Sequence, residues 1–562
     1  MQRYRIGKWA LGLVLSAACM TAMAQDIKRL SAVVDQLAKE KHFSGTLLVA
    51  KGDRILIDRA YGEANIEWHI HNQTDTRFRL GSITKQFTAA SVLLLKDRGK
   101  LQLSDTLGQH LPELPEAWHK VTIYQLLTHT SGIHSFTDIP QYRTNERFSK
   151  TPAEILDAVR TLPLDFEPGS RFNYSNSGYV VLGMLIEKLS GESYAQFVQK
   201  NIFDPLGMKD SGYDSNTAII PKRASGYSEQ SGSLQNAGFI DMSIPHAAGA
   251  LYSTTADLLR WQRALYGGKL LKPESLQAMT TPNLEHYAFG LGVQDGPEGK
   301  QYGHGGGIEG FRTLIGYRPA ERISVIMLSN VETPFLGEIE RPLFLLARGK
   351  TVLLPSERKE IAITPAEQQE AVGTYTMPDG MRFWVKADGK GLSTRLGAQP
   401  WVPIFAESRD HFFARLVDAQ FEVVRGEGRA VEALMLKQNG NQIRLQRIVE
   451  KDPEYASVPF FLRGEMNDWG IVSRMQQVDG HTYAATLKLD KNRYAFKLGS
   501  EDWKQIDFGG IIGKEILTLG AAQKLEAVGE NLQVDIPAAG AYQFALDTTD
   551  PRVPQLTITK AQ

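Results

Sequence analysis

The chain has a single cysteine in 562 residues, Cys19, and it lies in a stretch that reads as a removable leader. Arg3, Arg5 and Lys8 make a positive start, and Ala10 to Ala18 is an apolar core too short to span a bilayer. Ala22-Met23-Ala24 is a small-x-small cleavage site before Gln25. A lipidated cysteine would want a large aliphatic residue three places upstream, where Ser16 stands. Cleavage after Ala24 leaves a chain with no thiol, which excludes disulfides, a thiol nucleophile and thiolate metal ligands. A periplasmic or secreted location is expected, with sheet and helix cores carrying the stability.

Charge of one sign is also missing. The 63 basic and 63 acidic residues balance, and loss of Arg3, Arg5 and Lys8 leaves 60 against 63, a net of −3. That speaks against nucleic acid or an anionic membrane surface as the main partner. No second apolar run is long enough to cross a bilayer, so no transmembrane segment is expected after leader cleavage. No Glu-x-x-His, acidic cluster or paired-histidine spacing points to a metal, and no cofactor is expected. His129 and His134 fall in a loop after a helix rather than at ligand spacing on one face, and read as structural.

What is present centres on Phe78 to Thr88, followed by the apolar run Ala89 to Leu95. Ile83, Phe87, Ala90 and Leu94 recur at helical spacing while Ala89, Leu93 and Leu95 fill other faces, the pattern of a helix buried on most sides. Gly99 reads as its stop. Ser82 opens the helix and Lys85 follows one turn later on the same face. A lysine there is costly to bury. Either it snorkels to the surface beside an N-cap serine, or a desolvated amine serves the serine as a base.

Two further stretches carry candidate chemistry. Glu167 to Tyr179 holds the turn signal Pro168-Gly169 and places Tyr174 and Asn176 on a loop before a helix. Tyr174 could relay protons and Asn176 could hold a carbonyl or the lysine in register; the alternative is an ordinary polar helix entry. Tyr302-Gly303-His304-Gly305-Gly306-Gly307 is either a flexible glycine hairpin or a strand whose bare backbone N–H can approach a ligand. Such an N–H, paired with that of Ser82, would make an oxyanion hole, with His304 lining the pocket.

In this order and spacing the three stretches resemble the serine β-lactamase and penicillin-binding-protein-like superfamily. The similarity is to the branch of class C β-lactamases, D-alanyl-D-alanine carboxypeptidases, D-aminopeptidases and family VIII esterases. It covers roughly Asp26 to Arg348, and Leu126 to Gly132 and Gly249 to Asp257 look like further landmarks. The resemblance implies an α/β (α+β) domain with an antiparallel sheet and a helical subdomain. It implies Ser82 as the acylated nucleophile, Lys85 as its partner, and Tyr174 as a general acid/base, the choice of base between Lys85 and Tyr174 staying open. Asn176, His304, Gly305, Gly306 and Gly307 would bind substrate, Gly307 giving the second oxyanion N–H. His304 stands where many members have lysine, which weakens the case for a β-lactam substrate. Arg312 could supply the missing charge, although an arginine starting a strand is commonly a surface residue.

The domain organisation expected is a signal peptide over 1–24, the hydrolase-like domain over 25–349, a linker over 350–363, a small antiparallel barrel over 364–450 and an immunoglobulin-like β-sandwich over 456–562. The barrel is similar to the lipocalin-like domain attached to many relatives. The last segment resembles the accessory modules of pullulanases, where Trp469 and Trp503 could stack on sugars or simply fill the core. The expected activity is exported serine hydrolysis of an amide or ester, in a D-amino-acid peptide or small ester. A β-lactamase and a non-catalytic peptidoglycan or glucan binder are the alternatives. The partners expected are that small substrate and a polysaccharide at the C-terminal module.

Overall fold

The computed structural model describes residues 28–561, apart from the short stretches 40–41, 141, 143–145, 231–232, 297, 333–335, 354–356, 388–390, 398, 439–440, 449–458, 504–505, 512–513, 528 and 551–552. The expected leader lies outside the described residues. The chain divides into two compact units, meeting between Val352 and Leu353.

The first unit is built on a six-stranded antiparallel sheet of β1 (Gly45–Lys51), β2 (Arg54–Tyr61), β3 (Gly292–Gly296), β4 (Gly299–Ile308), β5 (Phe311–Arg318) and β6 (Ile323–Ser329), in the order β3-β4-β5-β6-β1-β2. The two ends of the unit therefore join in one sheet, with Val49 opposite Val325. Every residue of β6 is buried, as are the first six of β1. With both faces covered, the apolar residues need not alternate, and Leu47 to Ala50 and Val325 to Leu328 are consecutive.

Five longer helices accompany it: α1 (28–39), α2 (Thr84–Asp97), α3 (Asn176–Ser190), α4 (Thr255–Tyr266) and α5 (Leu336–Ala347). All residues of α2 from Thr84 to Leu95 are buried, as its all-round apolar pattern requires. It ends before Gly99, whose φ of +72° suits a left-handed stop. Helix α5 carries Pro342 inside it.

The second unit opens with a short helix, Pro365–Ala371, capped by Thr364 and Glu367. Eight strands from Gly373–Thr376 to Asn441–Ile448 then close an antiparallel barrel, first strand against last. Of the ten remaining strands, nine, from Gln476–Gln477 to Gln555–Lys560, form one continuous path, and Phe461–Gly464 lies off it, paired with Asn492–Gly499. The rings of Phe496 and Phe544, on strands that are not neighbours, meet 5.5 Å apart, so this path folds over a shared core. Trp503 packs over Gly499, and the Arg463 guanidinium lies 4.1 Å from its ring centroid.

Candidate active site

Ser82 sits in a 3-10 turn, Gly81–Ile83, that leads directly into α2. Gly81 has a φ of +54°, and a Cβ there would come within 2.8 Å of the backbone nitrogen of Gly307. Positive φ and close approach both call for glycine. The same absence of side chain recurs opposite: a Cβ on Gly306 would lie 2.0 Å from the Leu80 carbonyl oxygen. Thr313 Oγ1 donates to that oxygen at 2.7 Å, tying β5 to the same turn. The serine turn and β4 thus meet backbone to backbone. Because β3 pairs only with residues 299–303 of β4, residues 304–308 have no strand partner on that edge among the described residues.

Lys85 is fully buried one turn into α2. Its Nζ donates to Asn176 Oδ1 at 2.8 Å and to the Ala248 carbonyl at 2.9 Å, and lies 3.1 Å from Ser82 Oγ. Burial holds its pKa well below that of an ordinary lysine. In the neutral amine the two N–H bonds are taken up by the two fixed acceptors. Its lone pair then faces the serine hydroxyl. Asn176 is itself held, its N–H donating to Ser135 Oγ and its Nδ2 to Thr137 Oγ1. It is the first residue of α3, whose N-cap Ser175 accepts from the Gly178 N–H.

The Tyr174 phenol faces Ser82, and burial, outweighing the pull of that hydroxyl, pushes its pKa above the ordinary tyrosine value. Lys85 Nζ lies 4.8 Å from the centre of its ring. The other ring face of this corner belongs to His129, 4.2 Å away centroid to centroid. His134, by contrast, pairs with Asp165.

His304 Nδ1 donates to the Gly305 carbonyl, which leaves Nε2 to accept from the Tyr287 hydroxyl at 2.9 Å. Burial and the neighbouring Lys85 push its pKa down to about 4, so the ring is neutral at pH 7. Gly305 is exposed and contributes its carbonyl; Gly307 is exposed beside Gly81. Arg312 lies against Gly307, with Nη1 donating to the Phe311 carbonyl, and has no ion-pair partner among the described residues. No group of three or more His, Cys, Asp or Glu among the described residues could hold a metal ion.

All eight candidate residues therefore lie about one corner where the turn before α2, the loop before α3 and β4 converge. Three contributors were missed. Ala248 stands just ahead of the Gly249 to Asp257 landmark, and His129 lies inside the Leu126 to Gly132 landmark, so both had a local signal. Tyr287 had none: it follows Glu285 and His286, both at positive φ, in a segment without periodicity.

A buried lysine facing a serine, an antiparallel sheet from both chain ends and a helical region between them define a serine hydrolase of the penicillin-binding and β-lactamase fold. Residues 30–350 match the family described as Beta-lactamase, and the chain belongs to that family. It is 29% identical over 446 residues to a penicillin-binding protein of Bacillus subtilis, covering 74% of this chain and 97% of the relative. An octameric penicillin-binding protein homologue from Pyrococcus abyssi superposes with a TM-score of 0.53 at 25% identity, over 75% of this chain and 99% of that one. A D-amino acid amidase from Ochrobactrum anthropi gives a TM-score of 0.51 at 25% identity, over 58% and 99%.

Proposed function

We propose that the protein is an exported hydrolase that cuts an amide or ester bond through an acyl-enzyme on Ser82, in a D-amino-acid peptide or a small ester. The observation that carries this reading is the buried amine of Lys85, fixed by Asn176 and Ala248 so that its remaining direction meets Ser82 Oγ. Burial lowers the Lys85 pKa and so favours the neutral amine as base, whereas a phenol raised by burial keeps its proton. Lys85 therefore takes the serine proton and Tyr174 serves as acid.

Attack by Ser82 Oγ on the carbonyl carbon passes the hydroxyl proton to Lys85 Nζ, and the oxyanion meets the N–H groups of Ser82 and Gly307. Collapse breaks the bond to the leaving group, which takes a proton from Tyr174. The phenolate left on Tyr174 takes its proton back from the Lys85 ammonium, which restores both groups. Water then attacks the acyl-enzyme, loses a proton along the same relay, and releases the acid with Ser82 restored. The edge of residues 304–308 accommodates an extended peptide as an added strand.

A neutral His304 supplies no permanent cation. The D-amino acid amidase neighbour supports an amide of a D-amino acid, and the penicillin-binding relative supports a D-alanyl peptide. Arg312, lying beside Gly307 without an acidic partner, favours the latter when the substrate carries a carboxylate. The test is a panel of D-aminoacyl amides, D-Ala-D-Ala peptides, p-nitrophenyl esters and nitrocefin, with Ser82→Ala as control. Turnover and labelling by an acylating probe are expected to vanish in Ser82→Ala. Full activity in that variant overturns the reading, and nitrocefin turnover matching the best ester makes the protein a β-lactamase. Failure of every substrate and of labelling, with capture on peptidoglycan or glucan, makes it a binder.

A further inference from the structure

His129 makes no contact with the bonds to be broken, yet it holds the segment bearing Tyr174 at three points. Its main-chain carbonyl accepts the Asn173 N–H at 2.9 Å, and its Nδ1 accepts the Ser175 N–H at 3.1 Å. Between these anchors the Tyr174 ring lies on the imidazole at 4.2 Å. The residues on either side of the phenol are thus tied to a single side chain and its own backbone.

The arrangement is costly. His129 has a φ of +56°, a conformation worth about 1–2 kcal/mol against a residue with a Cβ. Because Nδ1 accepts, the neutral ring carries its proton on Nε2, and that buried atom has no hydrogen-bond partner among the described residues. An unpaired buried donor costs roughly 1–3 kcal/mol. Tyr179, Tyr287 and Phe172 wall in the ring, with centroids at 5.0, 4.8 and 5.8 Å. A phenyl ring would fill that box without an unpaired donor. What it would lose is the acceptor for Ser175.

We infer that His129 is a positioning residue that sets the Tyr174 phenol against Ser82, an inference that rests on the roles proposed above for those two residues. It acts in the neutral form, since protonation removes the acceptor at Nδ1. The titratable groups facing it are Lys85 and His304, whose charged forms would oppose a charge on the ring, together with the phenols of Tyr174, Tyr179 and Tyr287.

Two variants of the full chain separate the contacts. His129→Phe keeps a ring and drops the acceptor; His129→Asn keeps an acceptor that tolerates positive φ and drops the ring. Each is expected to lower kcat for a p-nitrophenyl ester by about 10- to 100-fold with KM within about threefold. In a Tyr174→Phe background the same changes are expected to cost under about threefold, because the group they position is already gone. Crystal structures of both are expected to show Tyr174 Oη displaced from Ser82 Oγ. Losses that add in full to that of Tyr174→Phe, or a phenol unmoved in both variants, overturn the inference even where activity or melting temperature falls. If the wild type neither turns over esters nor labels at Ser82, the hydrolase reading fails, and the position of Tyr174 still decides the role of His129.

Discussion

The Nζ of Lys85 and the Oδ1 of Asn176 lie 2.8 Å apart although 91 residues separate them in the chain. The amide is neutral, so it orients the amine without stabilising its charged form as a carboxylate would. With Ala248 as the second acceptor, the pair aligns a base while leaving burial to depress its pKa. An acidic residue would orient the lysine as well and disarm it.

Asn176→Asp tests that distinction. The carboxylate favours the ammonium and raises the Lys85 pKa by about 1–3 units. Activity needs the neutral amine, so the acid limb of the kcat/KM profile is expected to move to higher pH by that amount, with recovery on the alkaline side. Thr137 Oγ1, which now accepts from Asn176 Nδ2 at 3.1 Å, can turn to donate to the new oxygen, so the loop keeps its hold. An acid limb that stays in place would show that Lys85 is not the base.

Gly306→Ala tests the meeting of β4 with the serine turn. The new Cβ would lie 2.0 Å from the Leu80 oxygen and 2.2 Å from Thr313 Oγ1, so backbone must shift. The shift carries Gly307 away from Ser82, and kcat is expected to fall about 10²- to 10³-fold, the cost of an oxyanion donor. Gly305→Ala meets its nearest atom, the Thr313 oxygen, at 3.7 Å, and the expected loss is below about tenfold. Equal losses in steady-state kinetics would mean that the strand carries no such constraint.

These contacts differ in how far the sequence exposes them. Helix α2 was legible because its burial is written in consecutive residues, and Ser82 with Lys85 lie within one turn of it. The pairing of β5 with β6 and the cap of Thr364 follow from equally local patterns. Tyr174 and Asn176 stood out by their side-chain chemistry on a loop before a helix, but only the resemblance tied them to Lys85, since nothing periodic links them to it. The glycine run of β4 reads equally as a loose hairpin. It is a strand because β5 pairs along it and Leu80 presses where Gly306 has no side chain. His129 reaches Tyr174 only because its backbone takes a left-handed turn, which no pattern of polar and apolar residues encodes. The strand pattern of the second unit indicated β structure without showing that nine of its last ten strands run as one folded path.

Glu340, on α5 behind the active-site sheet, makes a stability prediction independent of catalysis. Its Oε1 accepts from Gln301 Nε2 at 3.1 Å, and a Cβ on Gly316 would come within 2.2 Å of that oxygen. Burial pushes the carboxyl up to about 7, against the opposing pull of Arg318. The sign follows from linkage. Below about pH 4.5 the group is neutral folded or unfolded; above that the unfolded chain ionises first, so stability falls as pH rises and levels off past about pH 7. At roughly 1.4 kcal/mol per unit the whole effect is at most about 3.5 kcal/mol. Glu340→Gln keeps the shape and the acceptor for Gln301 and removes the ionisation. It is expected to melt a few degrees above the wild type at about pH 8 and level with it at about pH 5. A difference in melting temperature that does not change between those two conditions would mean that Glu340 is ionised in the folded protein throughout, held by Arg318 rather than neutralised by burial.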